Sequence, residues 1–379
     1  MKKIGYVIPV FPTLSETFVG VEIRAMKALG HPVQTYAFSP GQHFQPADDE
    51  LKQHCRYLST APTYPFEGLW NIHRCHTFLR QQKGFTYLSL LRQGLQLAYL
   101  AKRDQCEHLH AHFAWHSTAT AIVAAKLLNI PVSFVGHGAD IYATPQDIDS
   151  KLQAADFICA VTKEMQIELQ AATERPVLHI PCGIDSAQYP PLNPYWQPDK
   201  DFLFVGRLVA KKGLDTLLNA LHRLPPDTNL DIVGDGPLLS HLQQQARQLG
   251  LSAQIHFLGR KEATWYRQHA SDYKALVAPF TVAPNGDKDT GPLVIKEAMA
   301  LGLPVITTDL AGCDEILEKQ YGLQVPMNDH RALADAMAYL RHQPASALAP
   351  IREKAFKRVM DQFTARTQAQ KLSAQVEVS

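Results

Sequence analysis

Asp289-Thr-Gly-Pro-Leu-Val-Ile-Lys-Glu297 runs on through Ala-Met-Ala-Leu-Gly302 into an apolar stretch from Leu303 to Thr307. A Gly-Pro turn opens a helix, a glycine stops it, and a strand follows. That is one step of an α/β sheet. The free N–H groups at such a helix start attract a phosphate. The carboxylates of Asp289 and Glu297 repel that phosphate and suit the neutral hydroxyls on either side of a diphosphate. The stretch therefore reads as a nucleotide-sugar site.

Working outward, the same alternation recurs along the chain. Strand-like runs at Ile4–Val10, His31–Phe38, His108–Phe113, Val132–Val135, Phe157–Val161 and Val177–Ile180 are separated by helical stretches such as Glu16–Leu29, with Ser15 as its N-cap and Gly30 as its stop. Residues 185–201 break the pattern with Pro190, Pro191, Pro194 and Pro198. Alternation then restarts at Phe202–Val205. The fold class expected is α/β, two Rossmann-like doubly wound domains with an interdomain cleft. The boundaries expected are 1–185 for an N-terminal acceptor-binding domain, 186–200 for a linker and 201–353 for a C-terminal nucleotide-sugar-binding domain. The stretch 354–379 is expected as a helix packing back on the first domain.

Bulk properties agree. A chain of 379 residues is long for one core, and 46% hydrophobic with 19% charged residues is a globular composition. A net charge of +1 argues against nucleic acid as the main partner. No stretch has the length and apolarity of a membrane span. Met1–Val10 reads as a buried strand rather than a leader, because Pro9 and Pro12 break a short run. Six scattered cysteines match no zinc or disulfide framework, which fits a reduced cytosolic compartment.

Five further strings bear on chemistry. In Phe202-Leu-Phe-Val-Gly-Arg-Leu-Val-Ala-Lys-Lys-Gly213 a strand ends at Gly206, leaving Arg207 and Lys212 on the loop where a diphosphate would lie. Ile232-Val-Gly-Asp-Gly-Pro237 lacks the third glycine of a dinucleotide fingerprint, since Leu239 stands there, so NAD binding loses support. His137 lies between two glycines just past a strand end. His108-Leu-His-Ala-His112 puts three histidines on one sheet face, but the spacing matches no standard metal motif and only Glu107 is a nearby acid, so a packed or cleft-lining face is expected and no metal. From Asn71 to Arg103 there are six Lys or Arg and no Asp or Glu, with Leu88, Leu91, Leu95 and Tyr99 at helical spacing. That is an ordinary half-buried helix or a weak membrane-surface helix.

Together these strings resemble the retaining, nucleotide-sugar-dependent glycosyltransferases of the GT-B fold (group 1, family 4 type). The branch resembled is the exopolysaccharide, colanic-acid type. Phe11-Pro-Thr-Leu-Ser-Glu-Thr-Phe18 is similar to its opening loop, His110-Ala-His-Phe113 and His137-Gly-Ala-Asp140 to its paired N-domain motifs, and Ile180-Pro-Cys-Gly-Ile-Asp185 to its pre-linker signature. Gly206-Arg-Leu with Lys212-Gly213 is similar to its donor-phosphate loop, and Asp289–Glu297 to its two-carboxylate motif. Asp289 stands where Glu is usual, Cys182 where Asn is usual, and the opening loop lacks a Gly-Gly pair.

The resemblance implies that Arg207 and Lys212 hold the donor diphosphate, aided by the N–H groups of Leu293 and Val294. Glu297 would accept from the ribose hydroxyls. Asp289, Thr290 and Gly291 would contact the transferred sugar, and His137 would approach it. Gly259 and Arg260 would border the base. Thr13 and His112 are acceptor-side candidates. The activity implied is hexosyl transfer with retention from a UDP-sugar to a hydroxyl of a lipid-linked carbohydrate. Neither cofactor nor metal is expected. The expected location is cytoplasmic, with possible peripheral contact with the inner membrane surface. Two alternatives stay open: a nucleotide-sugar epimerase of the same fold, or a non-catalytic donor-binding subunit.

Overall fold

The computed structural model describes residues 1–59 and 70–379. The chain forms two compact units, one of Met1–Gly183 with Ala365–Ser379 and one of Ile184–Thr364. In the first, seven parallel strands run in the order β3-β2-β1-β4-β5-β6-β7. They are β1 (Ile4–Val10), β2 (Val33–Ser39), β3 (Arg56–Tyr57), β4 (His108–His112), β5 (Val132–Gly136), β6 (Phe157–Ala160) and β7 (Val177–His179). In the second, six parallel strands run in the order β10-β9-β8-β11-β12-β13. They are β8 (Lys200–Val205), β9 (Leu230–Val233), β10 (Ile255–Gly259), β11 (Tyr273–Ala278), β12 (Val305–Thr308) and β13 (Leu323–Val325). Helices on both faces bury the strands, which is why most read as apolar runs; central β4, His-Leu-His-Ala-His, is the exception, with three buried histidines.

Strand order reverses between β1 and β4 in the first unit and between β8 and β11 in the second. The register is direct at both places: Tyr6 lies opposite His110, and Leu276 opposite Leu203. Connections leaving two neighbouring strands in opposite directions open a crevice at their carboxyl ends, and ligands bind in such crevices.

Four sequence expectations change. Helix Thr17–Ala28 starts at Glu16, which makes no side-chain cap, so Ser15 is not the N-cap. The turn closed by Glu16 N–H donating to Thr13 O (3.5 Å) comes first. The proline-rich stretch 186–200 is no free tether: Trp196 is buried, and its Nε1 donates to Ser271 O at 2.9 Å.

The segment 354–379 is two pieces, because helix Ala345–Gln362 belongs to the second unit and helix Ala365–Val378 to the first. The basic segment after Asn71 is also two helices, Ile72–Gln81 and Tyr87–Arg103. In the longer one the buried face is Leu90, Gly94, Leu97, Ala98 and Ala101. Gly94 allows close approach, since a Cβ there would lie 2.2 Å from Val123. Leu91, Leu95 and Tyr99 are only half-buried, and Leu88 is 75% exposed.

Candidate active site

In the second unit the loops after β8 and β11 meet at the sheet's switch point. Gly213, with φ of +65°, permits this: a Cβ would sit 1.8 Å from Pro279 O. Lys212 then reaches Asp289, Nζ to Oδ2 at 2.8 Å. Asp289 Oδ2 has no aligned hydrogen bond, so the contact is an ion pair rather than a directed bond. The Lys212 ammonium also sits 3.9 Å over the Phe280 ring. Lys211, which the sequence reading passed over, pairs with Asp287 at 3.0 Å and approaches Asp289 at 3.7 Å. Arg207 is exposed and makes no ion pair among the described residues. The loop thus gathers two cations, Lys211 and Lys212, around two carboxylates.

Gly291, with φ of +73°, turns the chain into helix Leu293–Ala300. The backbone of Asp289 and Gly291 is pressed against the next helix, where a Cβ on Gly312 would meet Asp289 O at 2.6 Å. Pro292 lacks an N–H, so the first free donors of the helix are Leu293 and Val294. The helix buries Ile295, Lys296, Ala298 and Met299, which leaves Leu293, Val294 and Glu297 half-buried on the other side, along with Thr290 before it. Tyr189 Oη donates to Glu297 Oε1 at 3.1 Å. Burial raises the Glu297 carboxyl above the ordinary range, and Tyr189 and Arg267 pull it back. No signal in the proline-rich stretch pointed to Tyr189. Gly259, with φ of +67°, has open space about its Cα, and exposed Arg260 approaches Asp235 at 3.5 Å. The structure therefore brings Lys212, Asp289, Thr290, Gly291, Leu293, Val294 and Glu297 into one neighbourhood, with Arg207 on the same β8 loop and Gly259 and Arg260 on the loop after β10.

In the first unit the expected residues lie at the carboxyl ends of β1, β4 and β5. Thr13 is on the loop after β1, and its Oγ1 is buried without a partner. His137, 7% exposed, packs against Phe18 (ring centroids 4.5 Å) and Phe113 (4.6 Å). Its backbone N–H donates to Asp140 at 2.9 Å, and Ala114 N–H donates to the same carboxylate at 2.7 Å. Burial drives the His137 imidazole toward its neutral form, and His112 adds to this.

His112, the other acceptor-side candidate, is fully buried. It stacks on His137 at 5.5 Å with its Nδ1 3.3 Å from His137 Nε2. Its Nε2 faces Glu22 Oε1 at 3.4 Å, and His110 Nε2 faces the same oxygen at 3.6 Å. Burial works against the Glu22 carboxylate, yet His112 and His110 hold it below the usual range. Burial pushes His110 down to about 4. Sequence reasoning missed Glu22, although it is an acid on the buried face of its helix, between Val19 and Met26.

Comparison with known proteins agrees with this geometry. Residues 15–188 match the Glycosyltransferase Family 4 model, and residues 195–358 match the model of Glycosyl transferases group 1. The chain is a glycosyltransferase of this family 4 and group 1 type, with the GT-B fold. It is 26% identical to WcaL of Escherichia coli, whose name makes it a glycosyltransferase of colanic acid biosynthesis, over 95% of this chain and 96% of that protein. It is also 26% identical to TuaC of Bacillus subtilis, named for teichuronic acid biosynthesis, over 90% of each chain. Among solved structures, Anabaena Alr3699/HepE in complex with UDP and glucose aligns with a TM-score of 0.75 at 18% identity, covering 100% of both chains. A Rickettsia africae glycosyltransferase aligns at 0.76 and 18%, over 99% of this chain and 98% of that one.

Proposed function

We propose that this glycosyltransferase moves a hexose, with retention of anomeric configuration, from a UDP-sugar to a hydroxyl of a lipid-linked carbohydrate in polysaccharide or glycolipid biosynthesis. One observation carries the reading: Lys212, Asp289 and the start of helix Leu293–Ala300 meet at the switch point of the second sheet, with Glu297 one turn further on. Cations and helix N–H groups suit a pyrophosphate, and the carboxylates beside them suit hydroxyls. The colanic and teichuronic acid names of two relatives and the UDP complex of a structural neighbour support the acceptor and donor classes.

In this reading catalysis is electrostatic. Arg207 and Lys212 neutralise the charge that grows on the leaving diphosphate, and Leu293 and Val294 N–H groups add to it. Glu297 holds the ribose, Asp289, Thr290 and Gly291 hold the sugar, Gly259 and Arg260 border the base, and His137 is assigned to the sugar's hydroxyls. The donor step calls on no metal, because lysine and arginine supply its charge. Thr13 is assigned to the acceptor side.

The same reading places the enzyme at the cytoplasmic face of a membrane. No helix is long and apolar enough to cross one. Exposed Trp70 and Leu88 beside Arg74, Arg80 and Lys83 suit an anionic lipid surface instead.

A thermal-shift screen with UDP-, GDP- and ADP-sugars, followed by transfer of labelled sugar to a lipid-linked acceptor, tests this. The expected result is stabilisation by UDP-sugars and a product with the donor's anomeric configuration by NMR. An epimer formed from UDP-sugar alone would replace the reading with the isomerase alternative. Binding with neither transfer nor hydrolysis would replace it with a non-catalytic donor-binding subunit.

A further inference from the structure

Glu22, His110 and His112 come from two elements of the first unit. The histidines alternate along β4 and so share one face of the sheet, and helix Thr17–Ala28 brings Glu22 over it. All three side chains are almost completely enclosed, at 2%, 1% and 0% exposure. Glu22 Oε1, His110 Nε2 and His112 Nε2 face one another, and none makes a hydrogen bond of good geometry. The separations of 3.4 and 3.6 Å are too long for hydrogen bonds of good geometry. Three converging buried polar atoms left unsatisfied are costly and call for something that binds them all.

The spacing suits an ion. A tetrahedral ion about 2.0–2.1 Å from each ligand sets its ligands about 3.3–3.4 Å apart. The three facing atoms lie within 4.8 Å of one another.

The outer atoms of these residues are engaged in the way ligand side chains usually are. His110 Nδ1 lies 2.7 Å from Ser133 Oγ, and the same hydroxyl lies 2.7 Å from His108 Nε2. Ser379 Oγ donates to Val376 O and so accepts from His108 Nδ1–H at 3.3 Å; His108, kept neutral by burial, then accepts at Nε2 from the Ser133 hydroxyl, which accepts in turn from His110 Nδ1–H and leaves the inward His110 nitrogen with its lone pair. His112 Nδ1 meets His137 Nε2 at 3.3 Å, which permits the same tautomer at His112. Glu22 Oε2 accepts from Gln368 Nε2 at 2.6 Å, and Gln368 Oε1 accepts from Gly183 N–H at 2.7 Å. Both carboxylate orientation and ring orientation are therefore held from outside.

We propose that Glu22, His110 and His112 form a buried site for one divalent transition-metal ion of the zinc class. Two imidazoles and a carboxylate are a ligand set that such ions take. The Tyr6 hydroxyl, buried beside Glu22 with no hydrogen bond of good geometry, borders the set, with its ring stacked on His112 at 5.8 Å. The ion ties helix Thr17–Ala28 to β4 and fixes the His112 ring on which His137 stacks. It is separate from the residues assigned to the diphosphate, which belong to the second unit, and it stands or falls independently of the donor and acceptor assigned above.

The test uses the full chain without a histidine tag, purified from zinc-supplemented cells and analysed by ICP mass spectrometry. The expected content is about one equivalent of zinc per chain, surviving gel filtration. Cobalt added to chelator-stripped protein is expected to give the visible absorption bands of a tetrahedral site. The Glu22→Gln/His110→Ala double variant should lose both signals. Because that variant also removes buried side chains, the wild-type chain is melted with and without dipicolinate as a second test. The chelator should lower Tm and added zinc should restore it. Wild-type protein that takes up less than about a tenth of an equivalent of zinc or cobalt, with a Tm indifferent to chelator, would overturn the site. Full metal content in a folded double variant would overturn it equally.

Discussion

Lys212 Nζ lies 2.8 Å from Asp289 Oδ2, and both side chains are mostly enclosed, at 13% and 14% exposure. The pair joins the loop after β8 to the motif that opens helix Leu293–Ala300. Lysine has three donors, so an ammonium engaged by one carboxylate still has two to offer a phosphate. Arg207, exposed on the same loop, has no such structural bond among the described residues. The two cations assigned to the diphosphate therefore differ in what else they hold in place.

That difference predicts a split between stability and activity. Lys212→Met leaves the Asp289 carboxylate without its closest cation and should cost about 1–3 kcal/mol of stability, less than a fully buried pair because both partners touch solvent. Arg207→Met should cost almost nothing in stability. Transfer should fall about 10²–10³-fold in each, the usual loss for a group that stabilises leaving-group charge. Adding Asp289→Asn to Lys212→Met should return much of the stability and none of the activity. Urea melts and single-turnover transfer measure both, and equal destabilisation by the two single variants would refute the pairing argument.

Glu297 predicts an acid limb in donor affinity. Burial raises its carboxyl, while the Tyr189 hydroxyl and Arg267 lower it. Ribose hydroxyls donate to the ionised form, so UDP binding should weaken as pH falls through this raised value, at a higher pH than an ordinary glutamate would set. Tyr189→Phe removes the 3.1 Å bond and should move the limb to still higher pH. Glu297→Gln should flatten it, at a loss of about tenfold or more in affinity. Calorimetric Kd values for UDP between pH 5 and 8 are the readout; unchanged profiles in both variants would count against the ribose assignment.

The strand–helix alternation was legible because parallel strands covered on both faces are mostly apolar, and glycines and prolines punctuate them. The convergence of Lys212 and Asp289, with Glu297 a turn into the next helix, was legible because each follows a strand end or a helix start, positions that border the crevice of such a sheet. Glu22 was not, because its partners His110 and His112 lie on another element and meet it only through packing. Tyr189 was hidden in a proline-rich stretch that has no period. The helix Tyr87–Arg103 has two apolar sides, and spacing alone selected Leu88, Leu91, Leu95 and Tyr99 over the buried Leu90, Gly94, Leu97, Ala98 and Ala101. What decided between them was Gly94, which lets the helix His116–Leu128 approach.

Asp140 predicts a pH-dependent stability in the first unit. Burial raises its carboxyl to about 6, against the pull of the backbone N–H groups of Ala114 and His137. The unfolded value is about 3.9, so the folded chain binds this proton more tightly. The resulting stability is fully present below about pH 4 and is lost as pH rises through about 6, a change of about 3 kcal/mol. Asp140→Asn removes the group that titrates. The stability of the wild-type chain relative to this variant should therefore fall between pH 4 and pH 7. Parallel curves from urea melts across that range would show that Asp140 does not carry the effect.

The exposed apolar and basic residues between Trp70 and Leu88 predict selective lipid binding. Trp70 is 87% exposed and Leu88 75% exposed, while Arg74, Arg80 and Lys83 are exposed close by in sequence. An indole and a leucine without packing partners insert at a lipid interface, and basic neighbours add about 1 kcal/mol each near anionic headgroups. Sedimentation with vesicles containing phosphatidylglycerol should therefore retain the enzyme, and pure phosphatidylcholine should not. Trp70→Glu/Leu88→Glu should abolish retention without lowering Tm, because neither side chain contributes to the core. High salt should weaken binding to anionic vesicles, since the charge term is screened. Equal retention of the double variant would mean that this face does not meet the membrane. A double variant that lost retention but still transferred sugar to a soluble acceptor analogue would separate lipid docking from donor chemistry.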